Sequence, residues 1–419
     1  MTPDIQAPRG TQDILPEEQP WWDHVRGTAE RLCEKFRYAQ IDTPMFEDVA
    51  LFSRTVGDTS DIVQKEMYLF KDRGDQELAL RPEGTAPVCR AYIEHGLHNQ
   101  PQPVRLFYIT PIFRYDRPQA GRYRQHHQFG IEAVGDASPA IDAETIELLW
   151  RLYEELGLTG FTLNLNSIGD AECRPRYLEA LRAYYADKLG RVCRDCQARV
   201  ERNPLRLLDC KNAECQDIIA EAPAFTDYLC DACGDHFSQV RGYVEALGIP
   251  HVVNPRLVRG LDYYTRTVYE VQPIEEGGQS TVGAGGRYDG LIEQIGGKPT
   301  PGVGFATGIE RIILNMKRQE VALPTASHLD VFVACASAAA RVFAFKLASG
   351  LRRHGLSAIV GDSTRSMKAQ MRHAGSLDAT YAAIIGDREL ESDSVTLKRL
   401  ADGSQETIPI GEVARRVQA

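Results

Sequence analysis

The chain has 419 residues, 43% hydrophobic and 25% charged, with a formal net charge of −10. That length predicts two or three domains, and that composition an ordinary globular protein rather than a disordered or low-complexity one. The acidic balance argues against a surface built throughout for nucleic acid, but the charge is uneven. From Ser327 to the end there are 12 Lys+Arg and 10 Asp+Glu, against 36 and 48 in the preceding 326 residues. A less acidic terminal module is the part suited to a polyanion.

Along the chain, Arg9 to Pro16 is rich in turn residues. Trp21 to Phe36 places Trp22, Val25, Ala29, Leu32, Cys33 and Phe36 near helical spacing. Ile41 to Phe46 reads as a strand that Pro44 demotes to an edge or interface, with a helix from Glu47. Val104 to Val134 reads as strand, turn and strand around a loop holding Arg114, Arg117, Arg122 and Arg124. A helix is expected over about Ala140 to Leu156. Phe161 to Asn166 alternates as a half-buried strand. Residues 170–250 look largely helical. Strands return at Thr265 to Val271 and Gln279 to Gly283, and Gly302 to Gly308 runs into a helix over Ile309 to Arg318.

The polar stretch from Lys317 to His328 reads as a linker. Beyond it the order is strand (Asp330–Cys335), helix (Ala338–His354), strand (Ser357–Val360), helix (Ser366–His373) and strand (Thr380–Ile385), a small α/β domain. The N-terminus carries no basic-then-apolar leader pattern. The apolar run Val331 to Phe345 is broken by Ser337 and Arg341 and is too short to span a bilayer. A cytoplasmic protein with no membrane partner is the expectation.

Two blocks mix glycine, arginine, aspartate and tyrosine: Leu257 to Thr265 and Ala284 to Leu291. Such a mix supplies charge, hydroxyls and close backbone approach together, which suits a small polar ligand. Gly302-x-Gly304-x-x-x-Gly308 misses the dinucleotide fingerprint by one residue, and no Gly-x4-Gly-Lys-Ser/Thr occurs, so neither a Rossmann site nor a P-loop is supported. Arg311, one turn into the following helix, can lie over a purine or reach phosphate. Arg114 can clamp a phosphate or carboxylate with two parallel hydrogen bonds. His126 and His127 are adjacent on a strand and point to opposite faces, so no shared chemistry is assigned to them.

Read with Leu80-Arg-Pro-Glu-Gly-Thr85 and Phe113 to Pro118, these blocks resemble the histidyl-tRNA synthetase family of class II aminoacyl-tRNA synthetases. Ile41 to Pro44 resembles motif 1, Phe113-Arg114 with its loop motif 2, and Gly302 to Arg311 motif 3. The resemblance covers nearly the whole chain. It implies an α+β catalytic domain with an antiparallel six-stranded sheet over residues 1–326. A helical, Cys-rich insertion at about 170–250 and a C-terminal α/β anticodon-binding domain over 327–419 complete the implied fold. It implies that L-histidine, ATP with Mg²⁺, and tRNA(His) are the partners, and that the protein is a homodimer.

The resemblance also implies roles. Arg259 and Arg114 neutralise the reacting phosphate and hold the histidine carboxylate, and no general base is needed because the attacking carboxylate is already an anion. Glu132 takes the imidazole N–H and Tyr264 pairs with the other ring nitrogen, with Tyr263 beside it. Glu83, Thr85 and Gln128 hold the α-amine, and Gly84 is among the residues that bind histidine. Arg122 and Arg311 hold ATP with Arg114, and Arg117 and Gln119 meet the acceptor end of the tRNA. Synthetase-like regulatory subunits of histidine biosynthesis share this fold, but generally lack the Arg259–Tyr264 block and the terminal domain, and both are present here.

Six of the ten cysteines lie between 193 and 233, as Cys193-x-x-Cys196, Cys210-x4-Cys215 and Cys230-x-x-Cys233. In a cytosolic protein such pairs read as a metal site before they read as disulfides. One structural Zn²⁺ on Cys193, Cys196, Cys230 and Cys233 is the first expectation, against reduced cysteines packed in the insertion. The 33-residue gap is long for a zinc ribbon, and Cys210 or Cys215 can substitute for either member. The resemblance adds nothing here, because the family's activity does not require zinc.

Overall fold

A computed structural model describes residues 5–57, 60, 62–119, 121–274, 281–323 and 328–418. The chain divides into two compact units, residues 1–323 and 324–419.

The first unit opens on α1 (Gln19–Lys35), which buries Trp22, Val25, Ala29, Leu32 and Cys33 as the spacing requires. Then come β1 (Ala39–Gln40), β2 (Phe46–Asp48), α2 (Val49–Val56), β3 (Leu69–Lys71), β4 (Glu77–Leu80) and α3 (Thr85–Glu94). The long hairpin is β5 (Val104–Phe113) and β6 (Gln125–Val134), followed by α4 (Pro139–Glu155) and β7 (Phe161–Ser167). The insertion holds α5 (Arg174–Tyr185), α6 (Arg194–Arg202), α7 (Ala213–Ala220) and α8 (Asp231–Ala246). The chain returns through β8 (His251–Val253), β9 (Thr265–Pro273), β10 (Gly283–Arg287), α9 (Leu291–Gln294), β11 (Gly302–Gly308) and α10 (Ile309–Arg318).

The main sheet has the order β1-β5-β6-β11-β10-β9-β7-β8. Its six inner strands are antiparallel, and a short parallel strand is added at each edge, β1 on β5 and β8 on β7. The expected sheet is therefore its centre. Alternation separates the two faces. Phe107, Phe129, Ile131 and Phe305 pack with α1, α4 and α10, whereas Leu106, Tyr108 and Val268 pack with residues of the insertion. The second face carries the site.

Ile41 to Phe46 is not one strand. The chain pairs at β1, leaves, and pairs again at β2. Between them the carbonyls of Thr43 and Pro44 accept from the buried Arg81 guanidinium at 2.7 and 3.2 Å, and Pro44 has no N–H to give a ladder. The next helix starts at Val49 rather than Glu47, because the Asp48 side chain caps it by accepting from the Ala50 N–H at 2.8 Å. The strand expected at Gln279 begins at Gly283; residues 279 and 280 lie outside those described.

The second unit contains β12 (Leu329–Cys335), α11 (Ala340–Arg353), β13 (Ala358–Val360), α12 (Met367–Ser376), β14 (Ala379–Ile385), α13 (Asp387–Glu391), β15 (Ser394–Arg399), β16 (Gln405–Pro409) and α14 (Val413–Gln418). The sheet order is β13-β12-β14-β15-β16, with β12 parallel to both neighbours and the last two strands antiparallel. Val331 and Val333 pack with α11, while Phe332 and Ala334 face the α12 side. The strands β15 and β16 were not anticipated. β15 buries only Val395 and Leu397 in alternation, a short signal, and β16 is almost wholly exposed and carries little hydrophobic alternation. The expected domain boundary at 326/327 lies outside the described residues.

Candidate active site

A cavity of about 730 Å³ opens on the second face of the main sheet. Strand β6 sends Gln128, Gly130 and Glu132 to that face in steps of two, as its period dictates. Gln128 lines the cavity, whereas Glu132 lies beneath its floor, 1% exposed. Its Oε1 accepts from the Thr85 hydroxyl at 2.7 Å and the Tyr108 hydroxyl at 3.3 Å, and its Oε2 from the Tyr288 hydroxyl at 2.5 Å. Burial pushes its carboxyl up to about 8, against the pull of these donors. Gly304 on β11 pairs directly with Glu132, and a Cβ there would sit 2.1 Å from Oε2. Only glycine leaves room for this carboxylate.

Glu83 is held differently. The turn before α3 aims its oxygens back at the helix start, where they accept from the Thr85 N–H at 2.7 Å and the Ala86 N–H at 2.8 Å. Burial raises its carboxyl, and these two backbone bonds oppose the rise. The Tyr263 hydroxyl reaches Glu83 at 3.4 Å. Arg81, from the same sequence block, is structural: its Nε donates to the Pro111 carbonyl at 2.8 Å and so locks the turn against β5. Gly84, Thr85, Tyr263 and Tyr264 all line the cavity beside Glu83. The Tyr263 and Tyr264 rings lie 4.7 Å apart, and the Arg259 guanidinium is 5.8 Å from the Tyr264 ring centre.

Arginines crowd the other end. Arg259, Arg114, Arg122 and Arg311 all line the same cavity. Arg259 pairs with Glu270 on β9; burial opposes its charge, but Glu270 holds the proton more firmly than usual. Its buried Nε has no partner among the described residues, which leaves a donor for a ligand oxygen. Arg114 Nε donates to the Pro82 carbonyl at 2.7 Å. Arg122 Nε lies 2.7 Å from Asp116 Oδ2. Arg311 bonds the Gly121 carbonyl at 2.9 Å, and its proton affinity is lowered by burial and then by the charges of Arg122 and Arg114. Gln119 lines the mouth, while Arg117 is exposed and outside the lining.

Several expectations were incomplete. Tyr108 and Tyr288, which hold Glu132, and Glu270, which holds Arg259, were not singled out. Tyr288 stood inside the quoted block, and even-numbered spacing along β5 put Tyr108 on the site face. Arg287 of that block meets no ligand: it is fully buried against Asp142, with Nε 3.0 Å from Oδ1, and His236 reaches the same carboxylate at 2.8 Å. His126 faces the cavity, and burial, Arg114 and Arg311 push it down to about 3. His127 instead bonds Glu310 at 3.0 Å and packs on Trp22. The insertion is also part of the wall, through Arg199, Arg206 and Lys211.

The expected zinc set is corrected. Cys193 and Cys196 do not meet Cys230 and Cys233. They gather with Cys210 and Cys215, while Cys230 and Cys233 gather with Asp170 and Cys173. The turn after α6 folds residues 210 and 215 back over the α6 start, whereas α8 begins beside the end of β7. In the first group Cys193 Sγ lies 3.8 Å from Cys210 Sγ, and Cys215 Sγ 3.9 Å from Cys196 Sγ. Those separations exceed a disulfide bond and match the edge of about 3.8 Å in a tetrahedron with Zn–S of about 2.3 Å.

An antiparallel sheet flanked by helices, with a strand-to-helix arginine and a hairpin-loop arginine on one cavity, defines a class II aminoacyl-tRNA synthetase. The family model for histidyl-tRNA synthetase matches residues 10–312, and that for the anticodon binding domain matches residues 330–419. The chain is 53% identical to a histidine–tRNA ligase of Dehalococcoides mccartyi, over 97% of this chain and 98% of that one. It is 47% identical to a histidine–tRNA ligase of Clostridium novyi, over 96% and 95%. The solved apo S. aureus histidyl-tRNA synthetase superposes with a TM-score of 0.84 at 38% identity, covering 99% of this chain and 100% of that one. The chain belongs to the histidyl-tRNA synthetase family. Its reaction is the family's, ATP-dependent activation of histidine and transfer to tRNA(His). Among the described residues no helix is long and apolar enough to cross a membrane.

Proposed function

We propose that L-histidine lies between the two buried carboxylates, with its carboxylate directed at the arginine end. Glu83, with Gly84, Thr85 and Gln128 around it, binds the α-ammonium group. Glu132 accepts the imidazole N–H, and Tyr264, stacked beside Tyr263, bonds the other ring nitrogen. The observation that carries this reading is the pairing of a carboxylate floor with an arginine end in one cavity. Such a site rejects ring analogues lacking a nitrogen by a factor on the order of 10⁴, since its own buried groups would go unpaired.

A histidine carboxylate oxygen attacks the α-phosphorus of ATP, the bond to the β-phosphate oxygen breaks, and pyrophosphate leaves. Arg259 and Arg114 neutralise the charge that builds on the α-phosphate, and Arg122 and Arg311 hold the remaining phosphates and the purine side. Mg²⁺ requires oxygen donors. Glu270 and Glu310 are the carboxylates on the wall that would face such an ion, although they are also held by Arg259 and by His127. When bound, Mg²⁺ would lower the charge that the arginines must offset.

Arg117 and Gln119 meet the tRNA acceptor end. Residues 1–326 act as the catalytic domain and 327–419 as the anticodon-binding domain of a cytoplasmic homodimer. Exposed Met45, Phe46, Leu69 and Phe70, beside the motif 1 segment, support the dimer. Cys193, Cys196, Cys210 and Cys215 hold one structural zinc. Pyrophosphate exchange run with each amino acid tests the catalytic reading: exchange with histidine alone is expected, and exchange with another amino acid instead would overturn it. Removing residues 328–419 should spare exchange and abolish efficient charging.

A further inference from the structure

The insertion leaves and rejoins the sheet at one point. Asp170 and Cys173 follow β7, and Cys230 and Cys233 open α8, which carries the chain back. Their donor atoms lie within 4.8 Å of one another. Cys173 Sγ is 3.7 Å from Asp170 Oδ1. With Zn–S of about 2.3 Å and Zn–O of about 2.1 Å, a tetrahedral edge is about 3.6 Å.

The surroundings are those of a ligand set. Asp170 Oδ1 faces the sulfur and accepts from the Glu172 N–H at 3.0 Å, and Oδ2 is held by Arg266 Nη2 at 3.3 Å. An outer partner of this kind orients a metal-binding carboxylate. The Asp170 N–H donates to Cys173 Sγ at 3.4 Å, which fixes the sulfur beside the carboxylate. Gly169 sits at φ +59°, and a Cβ there would fall 2.4 Å from Cys173 Sγ, so the backbone leaves space for that sulfur. The half-buried Arg174 Nη2 lies near the Ile168 and Gly169 carbonyls at 3.4 and 3.5 Å, beside the cluster.

We propose that Asp170, Cys173, Cys230 and Cys233 form a second divalent-cation site, a zinc clasp that closes the insertion onto the sheet and positions Tyr264. The link to the pocket is short. The Arg266 N–H donates to the Gly169 carbonyl at 2.7 Å, and the Ile168 N–H to the Arg266 carbonyl at 2.8 Å. Arg266 is held at φ 50°, a left-handed conformation that a non-glycine residue keeps only when its surroundings fix it. Arg174 Nη2 donates to the Tyr264 carbonyl at 2.6 Å. Only the effect on substrate rests on the histidine-pocket reading; the metal site stands without it.

Zinc is counted in the full chain purified in reducing buffer without chelator, for the wild type, C230S/C233S and C210S/C215S. The clasp predicts about two zinc per wild-type chain and about one in each variant. If C230S/C233S keeps the full wild-type content, or if the wild type holds less than one, the clasp is overturned. A wild type with one zinc, lost only in C230S/C233S, upholds the clasp and removes the four-cysteine site. Should a variant fail to fold, X-ray absorption of the wild type decides: two sites average about 3.5 sulfurs and 0.5 oxygen per zinc, the first site alone four sulfurs. In pyrophosphate exchange, C230S/C233S should raise the KM for histidine about tenfold and leave that for ATP within about twofold. Equal rises in both would overturn the positioning of Tyr264.

Discussion

The floor and the arginine end of the cavity are prepared in opposite ways. At the floor every oxygen of Glu83 and Glu132 already has a donor from the chain itself. At the other end, burial and then the charges of Arg122 and Arg114 work against the charge of Arg311. The floor is therefore shaped before the substrate arrives, which gives selectivity between amino acids. At the arginine end Arg259 and Arg122 are already paired with Glu270 and Asp116, and a polyphosphate there would offset the remaining repulsion on Arg311. The two carboxylates differ as well. Glu83 takes backbone N–H groups at a helix start, which favour the anion, whereas Glu132 takes side-chain hydroxyls and carries a carboxyl pushed up to about 8.

The largest effect should come from Arg259→Ala. Losing a preorganised charge at the reacting phosphate costs about 3–4 kcal/mol, or 10²–10³ in the exchange rate, with the circular dichroism spectrum unchanged. Wild-type exchange in that variant would break the division between the two ends. Glu132→Ala should raise the histidine KM about 10- to 100-fold and shift the ATP KM little; equal shifts in steady-state exchange would make Glu132 structural. Arg311→Gln should do the reverse, raising the ATP KM about tenfold and sparing that for histidine. Pyrophosphate alone should raise the Tm of the wild type more than that of this variant, and less at high salt. The smallest effect concerns stability. The folded protein keeps the Glu132 proton to a higher pH than the unfolded chain, whose glutamate titrates near 4.5. That contribution is full below the unfolded value and is lost as pH rises through about 8. Thermal melts of Glu132→Gln should fall less than the wild type's over this range.

Much of the site could be read from the sequence because its residues cluster locally. Leu80 to Thr85 supplies a helix start with its carboxylate, and strand period alone puts Gln128 and Glu132 on one face. Gly302 to Arg311 likewise predicted the strand-to-helix passage. Pairings across distance could not be read in this way. Arg259 with Glu270, Glu132 with Tyr288, and Arg287 with Asp142 each join separate elements. Arg287 and Arg259 sit in similar-looking blocks, yet one is core and the other faces the cavity. The cysteines failed for the same reason: spacing paired the two Cys-x-x-Cys motifs, whereas the fold gives each a different partner. The parallel edge strands β1 and β8 are too short to carry a periodic signal.

The central claim is that the ionised Glu132 carboxylate receives the imidazole N–H. The histidine KM in pyrophosphate exchange, measured from pH 7 to 9 for the wild type and Glu132→Gln, tests it most directly. A carboxyl at about 8 must lose its proton first, so the wild-type KM should fall about fivefold from pH 7 to 8 and less than twofold further from 8 to 9. The variant should show a high KM with no break near pH 8. The same break in both proteins, or a wild-type KM indifferent to pH, would contradict the account.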